Sequence, residues 1–253
     1  MAESFGSDAE RYDRTRPRYP DAMVERITAG SPGPDVLDVG CGTGIAARQF
    51  LAAGCRVLGV DVDERMAEPA RRQGLEVEVA AFEAWEPAGR TFDAVIAGQT
   101  WHWVDPVTGA AKAAQALRPG GRLAVFWNVF QPPPDLAEAF AAVYHRVLPD
   151  DPVHGRVMPA LDVYSAILTK AAEGIRQTGG FGDPEQWRWD WDRPYTRDQW
   201  LDQVPTFGGH SQFPPVTLQD LLAGIGAAID AVGGGFTMRY TTVAVTAART
   251  AAP

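Results

Sequence analysis

The sequence predicts an α/β domain wound about a mainly parallel sheet, on three observations. Strand and helix signals alternate through the first half of the 253 residues, which implies parallel strands joined by right-handed crossovers. A glycine-rich turn, Gly40-Cys41-Gly42-Thr43-Gly44, joins the first apolar run to the first helical pattern. The hydrophobic share is 45%, ordinary for a protein with a full core, and the length suits one domain with a modest elaboration.

The elements follow in order. Residues 35–40 (DVLDVG) are a short apolar strand, 45–54 (IAARQFLAAG) have helical spacing and stop at Gly54, and 55–62 (CRVLGVDV) are a second strand. A helix over 63–74 contains Pro69, which disturbs it, and ends at Gly74. Residues 75–81 and 91–99 read as strands, the latter buried; 107–121 read as a helix stopped by Pro119 and Gly120; 122–128 (RLAVFWN) are the fifth strand. "QPPPD", 131–135, is punctuation at a strand exit. Helices are expected over 134–151, 158–181, 196–204 (opening at Thr196) and 217–235. Between them, 186–195 alternate with period two, so that Trp187, Trp189 and Trp191 share one face. Residues 236–250 are a long β-rich terminal strand.

Charge and cysteine content exclude several functions. The net charge is −9, and polyanion binding needs a basic face, so nucleic acid is not the expected partner. The one basic cluster, Arg11, Arg14, Arg16 and Arg18, reads as a solvated segment partly balanced by Asp8, Glu10 and Asp13. Cys41 and Cys55 make neither a disulfide framework nor a metal spacing. Without an apolar signal core or a run of about 18 apolar residues, the chain is read as cytoplasmic and reduced, with no membrane association. No carboxylate–histidine trio has metal spacing, so no metal is expected.

A strand running into a helix through glycines gathers backbone N–H groups and a positive helix end at one spot. The spacing Gly40, Gly42, Gly44 puts Ile45 where a dinucleotide fingerprint has its third glycine, and no Gly-Lys-Ser/Thr follows to cradle phosphate. Asp38, two residues before the first glycine, would repel a pyrophosphate and suit an ammonium. Asp61, about 20 residues past the turn, is placed to accept hydrogen bonds from both ribose hydroxyls; Asp63 competes with it to cap the next helix. The ligand read from these residues has a ribose and an ammonium and no phosphate.

With "VLDVGCGTG", "VLGVDVDERMAEPAR", "TFDAVIAGQTWHWVD" and "ALRPGGRLAVFWN", the chain resembles the class I S-adenosylmethionine-dependent methyltransferases over most of its length. The resemblance implies a doubly wound Rossmann-like mixed sheet with an antiparallel last strand and an inserted helical substrate-binding region. It implies S-adenosyl-L-methionine as cofactor and S-adenosyl-L-homocysteine as product. By it, Asp38, Gly40, Gly42 and Gly44 line the methionine and ribose end, Asp61 holds the ribose, and the adenine lies near Ala81, Phe82 and Glu83. Many relatives carry an Asp where Ala81 stands, so Glu83 or backbone groups are expected to supply that contact. "RPRYP", "QTWHWVDP" and "MRYTTVAVTAAR" resemble more loosely the small-molecule branch that includes trans-aconitate methyltransferase-like enzymes. That places Tyr12 and Tyr19 in an N-terminal lid. The chain then divides into a lid (1–34), a cofactor core (35–130), a substrate-side elaboration (131–235) and a terminal strand (236–250).

The expected reaction is methyl transfer to an oxygen, nitrogen or carbon of a small-molecule substrate, by a monomer or homodimer. His102, after the fourth strand, is the candidate general base, or else a histidine that orients its loop. Trp101, Trp103, Trp127 and Phe207 are candidate pocket walls, with packing as the plainer role for the tryptophans. The Trp187–Trp189–Trp191 stripe reads as core packing before a cation cage. The loop bearing Phe207 and His210 is a lid or a surface connection, and His145 and His154 read as structural or exposed. The rival readings are a nicotinamide-dependent oxidoreductase, disfavoured by the glycine spacing and Asp38, and a non-catalytic cofactor-binding protein on the same fold. A nucleic-acid methyltransferase is opposed by acidity and by the lack of an "NPPY"-like segment.

Overall fold

A computed structural model of the chain describes residues 2–149 and 160–250. Its sheet has seven strands: β1 (Asp35–Val39), β2 (Arg56–Asp61), β3 (Glu76–Val79), β4 (Phe92–Gly98), β5 (Leu117–Gln131), β6 (Glu185–Thr196) and β7 (Gly235–Ala248), in the order 3-2-1-4-5-7-6. Strands β1 to β5 pair in parallel, and the last strand, β7, runs antiparallel between β5 and β6. The order reverses between β1 and β4, which opens a crevice at their carboxyl ends, where open α/β sheets bind ligands.

Period-two alternation divides the core between the sheet's faces. Val36, Ala94, Ile96, Ala124 and Phe126 pack against α2 (Asp21–Ala29) and α3 (Ile45–Ala52) through Met23, Ile27 and Phe50. Leu37, Val95, Leu123, Val125 and Trp127 pack against α5 (Pro106–Ala116) and α7 (Ala160–Thr178) through Ala110, Ala113, Leu168 and Ile175. Three alanines on the buried face of α5, Ala110, Ala113 and Ala116, allow that helix to lie close on the strands. α4 (Glu64–Arg72) continues through the buried Pro69 and is capped by Asp63, whose carboxylate accepts the Arg65 N–H at 3.0 Å.

The expectation for residues 107–121 is corrected. The helix stops at Ala116, and Leu117 is already in β5. Pro119 biases Arg118 towards extended backbone, and the register shifts opposite Phe92 and Ala94 absorb Pro119, Gly120 and Gly121.

The region after β5 has two parts. α7 belongs to the sheet's own layer. A separate core joins α6 (Pro134–Val147), α8 (Arg197–Gln203) and α9 (Pro215–Ala231) to the far ends of β6 and β7, through Phe140, Trp200, Leu221, Ile225 and Tyr240. α8 opens at Thr196 with a reciprocal capping box to Gln199.

The N-terminal segment also divides. α2 is built into the core, Met23 and Ile27 being fully buried, whereas α1 (Ala9–Thr15) packs against α8 and α4. No helix among the described residues is long and apolar enough to cross a membrane.

Candidate active site

A cavity of about 1240 Å³ opens at the carboxyl ends of β1 and β4 and extends under α1 to α6, α8 and the loop before α9. One end is built from the glycine turn. Gly40, Gly42 and Gly44 all have positive φ, at 63°, 52° and 83°, a region that side chains with Cβ rarely enter. A Cβ on Gly40 would sit 2.0 Å from Thr100 Cγ2, whereas one on Gly42 would meet only Met66 Cε, at 3.4 Å. The backbone at Gly42 therefore stays open on its cavity side.

Asp61 holds this turn to the end of β2. Its Oδ2 accepts the Gly42 N–H at 2.7 Å and its Oδ1 accepts the Asp63 N–H at 2.9 Å. Burial raises its pKa against the pull of those amides. A carboxylate offers about four lone-pair sites, so two such bonds leave room for a ligand's hydroxyls.

Asp38 is 1% exposed and neither of its oxygens has a hydrogen-bond partner. Burial first, then the Asp61 charge, push its carboxyl up to about 8; the Ala47 amide opposes this without coming into bonding range. Thr43 Oγ1, also in the lining, is buried and unpartnered. Unsatisfied buried polar groups are rare and need an explanation. A ligand that brings an ammonium and hydroxyls here satisfies them, so the residues fit a sulfonium nucleoside.

Ala81, Phe82 and Glu83 form the cavity wall beyond β3. Phe82 stacks on Trp85 with centroids 6.3 Å apart, and Glu83 accepts the Asp105 N–H at 3.0 Å. Tyr12 and Tyr19 line the opposite side; Tyr19 packs edge-on against Phe126 at 4.7 Å, and burial raises its hydroxyl pKa. Gln99, at the exit of β4, is one of two described non-glycine residues with positive φ, at 58°. It is held by its N–H to Phe126 O at 2.8 Å and by its side chain to Asn128 O at 3.1 Å. Such strained backbone clusters at ligand sites.

The other end is aromatic. Phe130, Phe140, Tyr144, Tyr164, Trp200 and Phe207 line it. Tyr144 and His210 make a hydrogen bond of 2.8 Å there, and His210 is buried. Arg16 is the one guanidinium in the described lining. Its carbon lies 4.9 Å from the Tyr12 ring and 4.9 Å from the Phe207 ring, a cation–π arrangement.

Of the expected site residues, Asp38, Gly40, Gly42, Asp61, Phe82, Glu83, Tyr12, Tyr19, His102, Trp103 and Phe207 line this one cavity. Three do not. Gly44 turns away as the N-cap of α3. Trp101 and Trp127, expected as walls, are core residues, 2% and 0% exposed. Trp101 packs on Phe82, and Trp127 shares the inward parity of Leu123 and Val125 on β5. His102 lines the cavity, but its Nδ1 accepts the Trp127 indole N–H at 3.2 Å, and burial lowers its pKa.

The arginine cluster is not simply solvated. Arg14 pairs with Asp202 at 2.9 Å, Arg11 with the same carboxylate at 3.2 Å, and the adjacent Asp13 with Arg48 at 2.7 Å. Trp187 lies under Arg26 at 3.9 Å, and Trp191 stacks on Tyr240 at 4.4 Å, both outside the described lining. His145 is exposed, and His154 lies outside the described residues. Among the described residues no group of three or more His, Cys, Asp or Glu could hold a metal ion. Arg16, Gln99 and Tyr144 had no signal in the sequence that marked them as cavity residues, whereas His210 was read through its loop, as part of a lid or a surface connection.

Comparison with known proteins agrees with this geometry. Residues 36–121 match a methyltransferase domain family. An uncharacterized methyltransferase of Mycobacterium bovis is 37% identical over 131 residues, 51% of this chain and 53% of that protein. The ubiquinone biosynthesis O-methyltransferase of Aromatoleum aromaticum is 37% identical over 103 residues, 38% of this chain and 44% of that protein. The chain thus spans about half the length of the curated relatives it matches. A solved chain from Anaeromyxobacter dehalogenans described as a type II methyltransferase superposes with a TM-score of 0.64 at 26% identity, over 93% of this chain and 97% of that one. Haemonchus contortus phosphoethanolamine N-methyltransferase 2 shares the fold at 15% identity and a TM-score of 0.55, over 99% of this chain and 60% of its own. The glycine turn, the acidic strand ends and these matches together make the chain similar to the class I S-adenosylmethionine-dependent methyltransferases, with residues 36–121 matching a methyltransferase domain.

Proposed function

We propose that this chain binds S-adenosyl-L-methionine at the Asp38–Asp61 end of the cavity and transfers its methyl group to a small molecule in the aromatic end, releasing S-adenosyl-L-homocysteine. The observation that carries the reading is the pair of acidic strand ends: Asp61 bonded to the Gly42 N–H, beside an Asp38 carboxyl that no group of the chain satisfies. When bound, the cofactor supplies a methyl group already activated on a sulfonium. The protein's own work is then alignment and exclusion of water.

Asp61 would hold the ribose hydroxyls, Asp38 the methionine ammonium, and Ala81, Phe82 and Glu83 the adenine. Tyr12 and Tyr19 close the N-terminal side over them. Trp103 and Phe207, with Phe130 and Phe140, give the acceptor an apolar enclosure; the largest part of its affinity comes from burying apolar surface, at about 25 cal/mol per Å². An acidic chain with this enclosed aromatic compartment suits a small metabolite better than a polyanion.

Calorimetry with S-adenosylhomocysteine tests the reading. Wild-type protein is expected to bind, and Asp61→Ala to lose at least about tenfold in affinity, roughly 1.4 kcal/mol. Equal affinity in the folded variant would refute the assignment. Transfer of labelled methyl groups across a metabolite panel then identifies the acceptor.

A further inference from the structure

The lone pairs of the cavity's histidines are already taken, and this bears on how the acceptor is received; the inference deepens the methyl-transfer reading and rests on it for its chemistry. An indole N–H only donates. Trp127 Nε1 lies 3.2 Å from His102 Nδ1, so Nδ1 is the acceptor and the neutral ring carries its proton on Nε2. Trp127 is fully buried among the residues that pack β5 against α5 and α7, so it cannot swing aside. Protonating Nδ1 would oppose two N–H groups and leave the indole donor unsatisfied in the core, which is costly.

The titratable groups on the surrounding elements do not counter this. Glu83 and Asp105 are tied together through the Asp105 N–H, Tyr164 stands on α7, and Asp38 lies at the glycine turn. None of them offsets burial, which lowers the pKa of the ring.

The second histidine of the lining is likewise engaged. His210 Nε2 meets the Tyr144 hydroxyl at 2.8 Å, and its Nδ1 faces Gly208 O, which only accepts, at 3.4 Å. At the same end Arg16 Nε and Trp200 Nε1, both donors, have no partner. The carboxylates of the lining, Asp38, Asp61 and Glu83, stand at the other end, around the glycine turn and the wall beyond β3.

We propose that Trp127 locks His102 as an Nε2–H donor that hydrogen-bonds an oxygen of the acceptor instead of removing its proton, so that the acceptor is an oxygen acid attacking as its anion. In that transfer an oxygen lone pair forms the new O–CH₃ bond while the S–CH₃ bond breaks and its electron pair stays on sulfur. No proton moves, and no base is required. His102 touches the acceptor; Trp127 is a positioning residue acting through it.

Nuclear magnetic resonance on protein labelled with ¹⁵N-histidine reads the tautomer directly. The chain has four histidines, and His102→Gln assigns the signal. His102 is expected to be neutral with its proton on Nε2 through the ordinary histidine range and to take up a second proton only below it, because burial lowers its pKa. In Trp127→Phe, where burial remains and the indole N–H is gone, it is expected to titrate at higher pH than in the wild type. A wild-type ring with its proton on Nδ1, or one that titrates within the ordinary histidine range, overturns the lock even if Trp127→Phe fails to fold.

The acceptor half is tested with 4-nitrophenol, whose ionisation is visible by absorbance, added to protein saturated with S-adenosylhomocysteine. The bound dye is expected as phenolate, with an apparent pKa lowered by about one unit, a tenfold preference for the anion that shrinks in His102→Phe. Binding as the phenol, or no binding up to the dye's solubility, overturns it. Absence of S-adenosylhomocysteine binding would instead refute the methyl-transfer reading while leaving the tautomer measurement intact, so the two failures are distinguishable.

Discussion

Asp38 is buried where nothing in the chain answers its charge, and that fixes two measurable consequences. Its carboxyl is pushed up to about 8 from an ordinary 3.8, so the folded protein holds a proton that the unfolded chain has released. Stability from this group is therefore fully present below about pH 4 and is lost as pH rises towards 8. The ligand-free protein is expected to melt at lower temperature at pH 8 than at pH 5.5, and Asp38→Asn to flatten that slope. An ammonium placed beside Asp38 favours its ionised form. Binding of S-adenosylhomocysteine near pH 7 should therefore release close to one proton, read by calorimetry in buffers of different ionisation enthalpy; no release, or equal release from Asp38→Asn, would separate Asp38 from the ligand's ammonium. Gly40 makes a steric case at the same scale. Its positive φ and the 2.0 Å approach to Thr100 predict that Gly40→Ala costs about 2–3 kcal/mol in denaturant unfolding. Asp38, Gly40, Gly42 and Asp61 were legible in the sequence because strand end, turn and strand end follow one another along the chain. The state of His102 was not, because it depends on Trp127, which reaches it only through the pairing of β4 with β5.

Elements were legible where local signals agreed. α3 follows a glycine stop and apolar spacing, α8 follows the Thr196 and Gln199 caps, and β6 follows strict alternation. The end of α5 was not, because Ala113, Gln115 and Ala116 are good helix formers and only Pro119, three residues on, announces the strand. The N-terminal segment was obscure for another reason. "RYDRTRPR" looks like charge for solvent, yet its partners are far along the chain: Asp202 on α8 for Arg11 and Arg14, and Arg48 on α3 for Asp13. These pairs tie α1 across the cavity mouth between the two sides. Half-exposed ion pairs contribute about 0–1 kcal/mol, so their role is local. Asp202→Ala is expected to leave the melting temperature nearly unchanged while hydrogen exchange over Ala9–Thr15 speeds several-fold. Unchanged exchange would mean that apolar packing, chiefly Phe5 against Tyr12 and the short turn before α1, holds the segment down.

For the whole molecule, the decisive feature is that the cavity is shared between cores of separate origin. The glycine turn and β2 sit on the packing of β1 to β4 against α3 and α5, whereas the aromatic compartment sits on α6, α8 and α9 over the ends of β6 and β7. The first assembly comes from one alternating stretch of sequence and was read from it. The second joins residues about eighty to a hundred positions apart, as where Leu136 and Phe140 on α6 meet Leu221, Ile225 and Tyr240, and sequence periodicity carries no record of such a meeting. Division of the cores implies division of the functions. Leu221 is fully buried in the second core and lies outside the cavity lining. Leu221→Ala is expected to cost about 2–5 kcal/mol, seen as a lower unfolding midpoint. Below that midpoint S-adenosylhomocysteine should bind with affinity within about threefold of wild type, because a distant site without shared partners is nearly additive. Binding of 4-nitrophenol should weaken by more than that. If both ligands weaken together, the two cores act as one unit, and the glycine-turn end depends on the aromatic compartment for its shape.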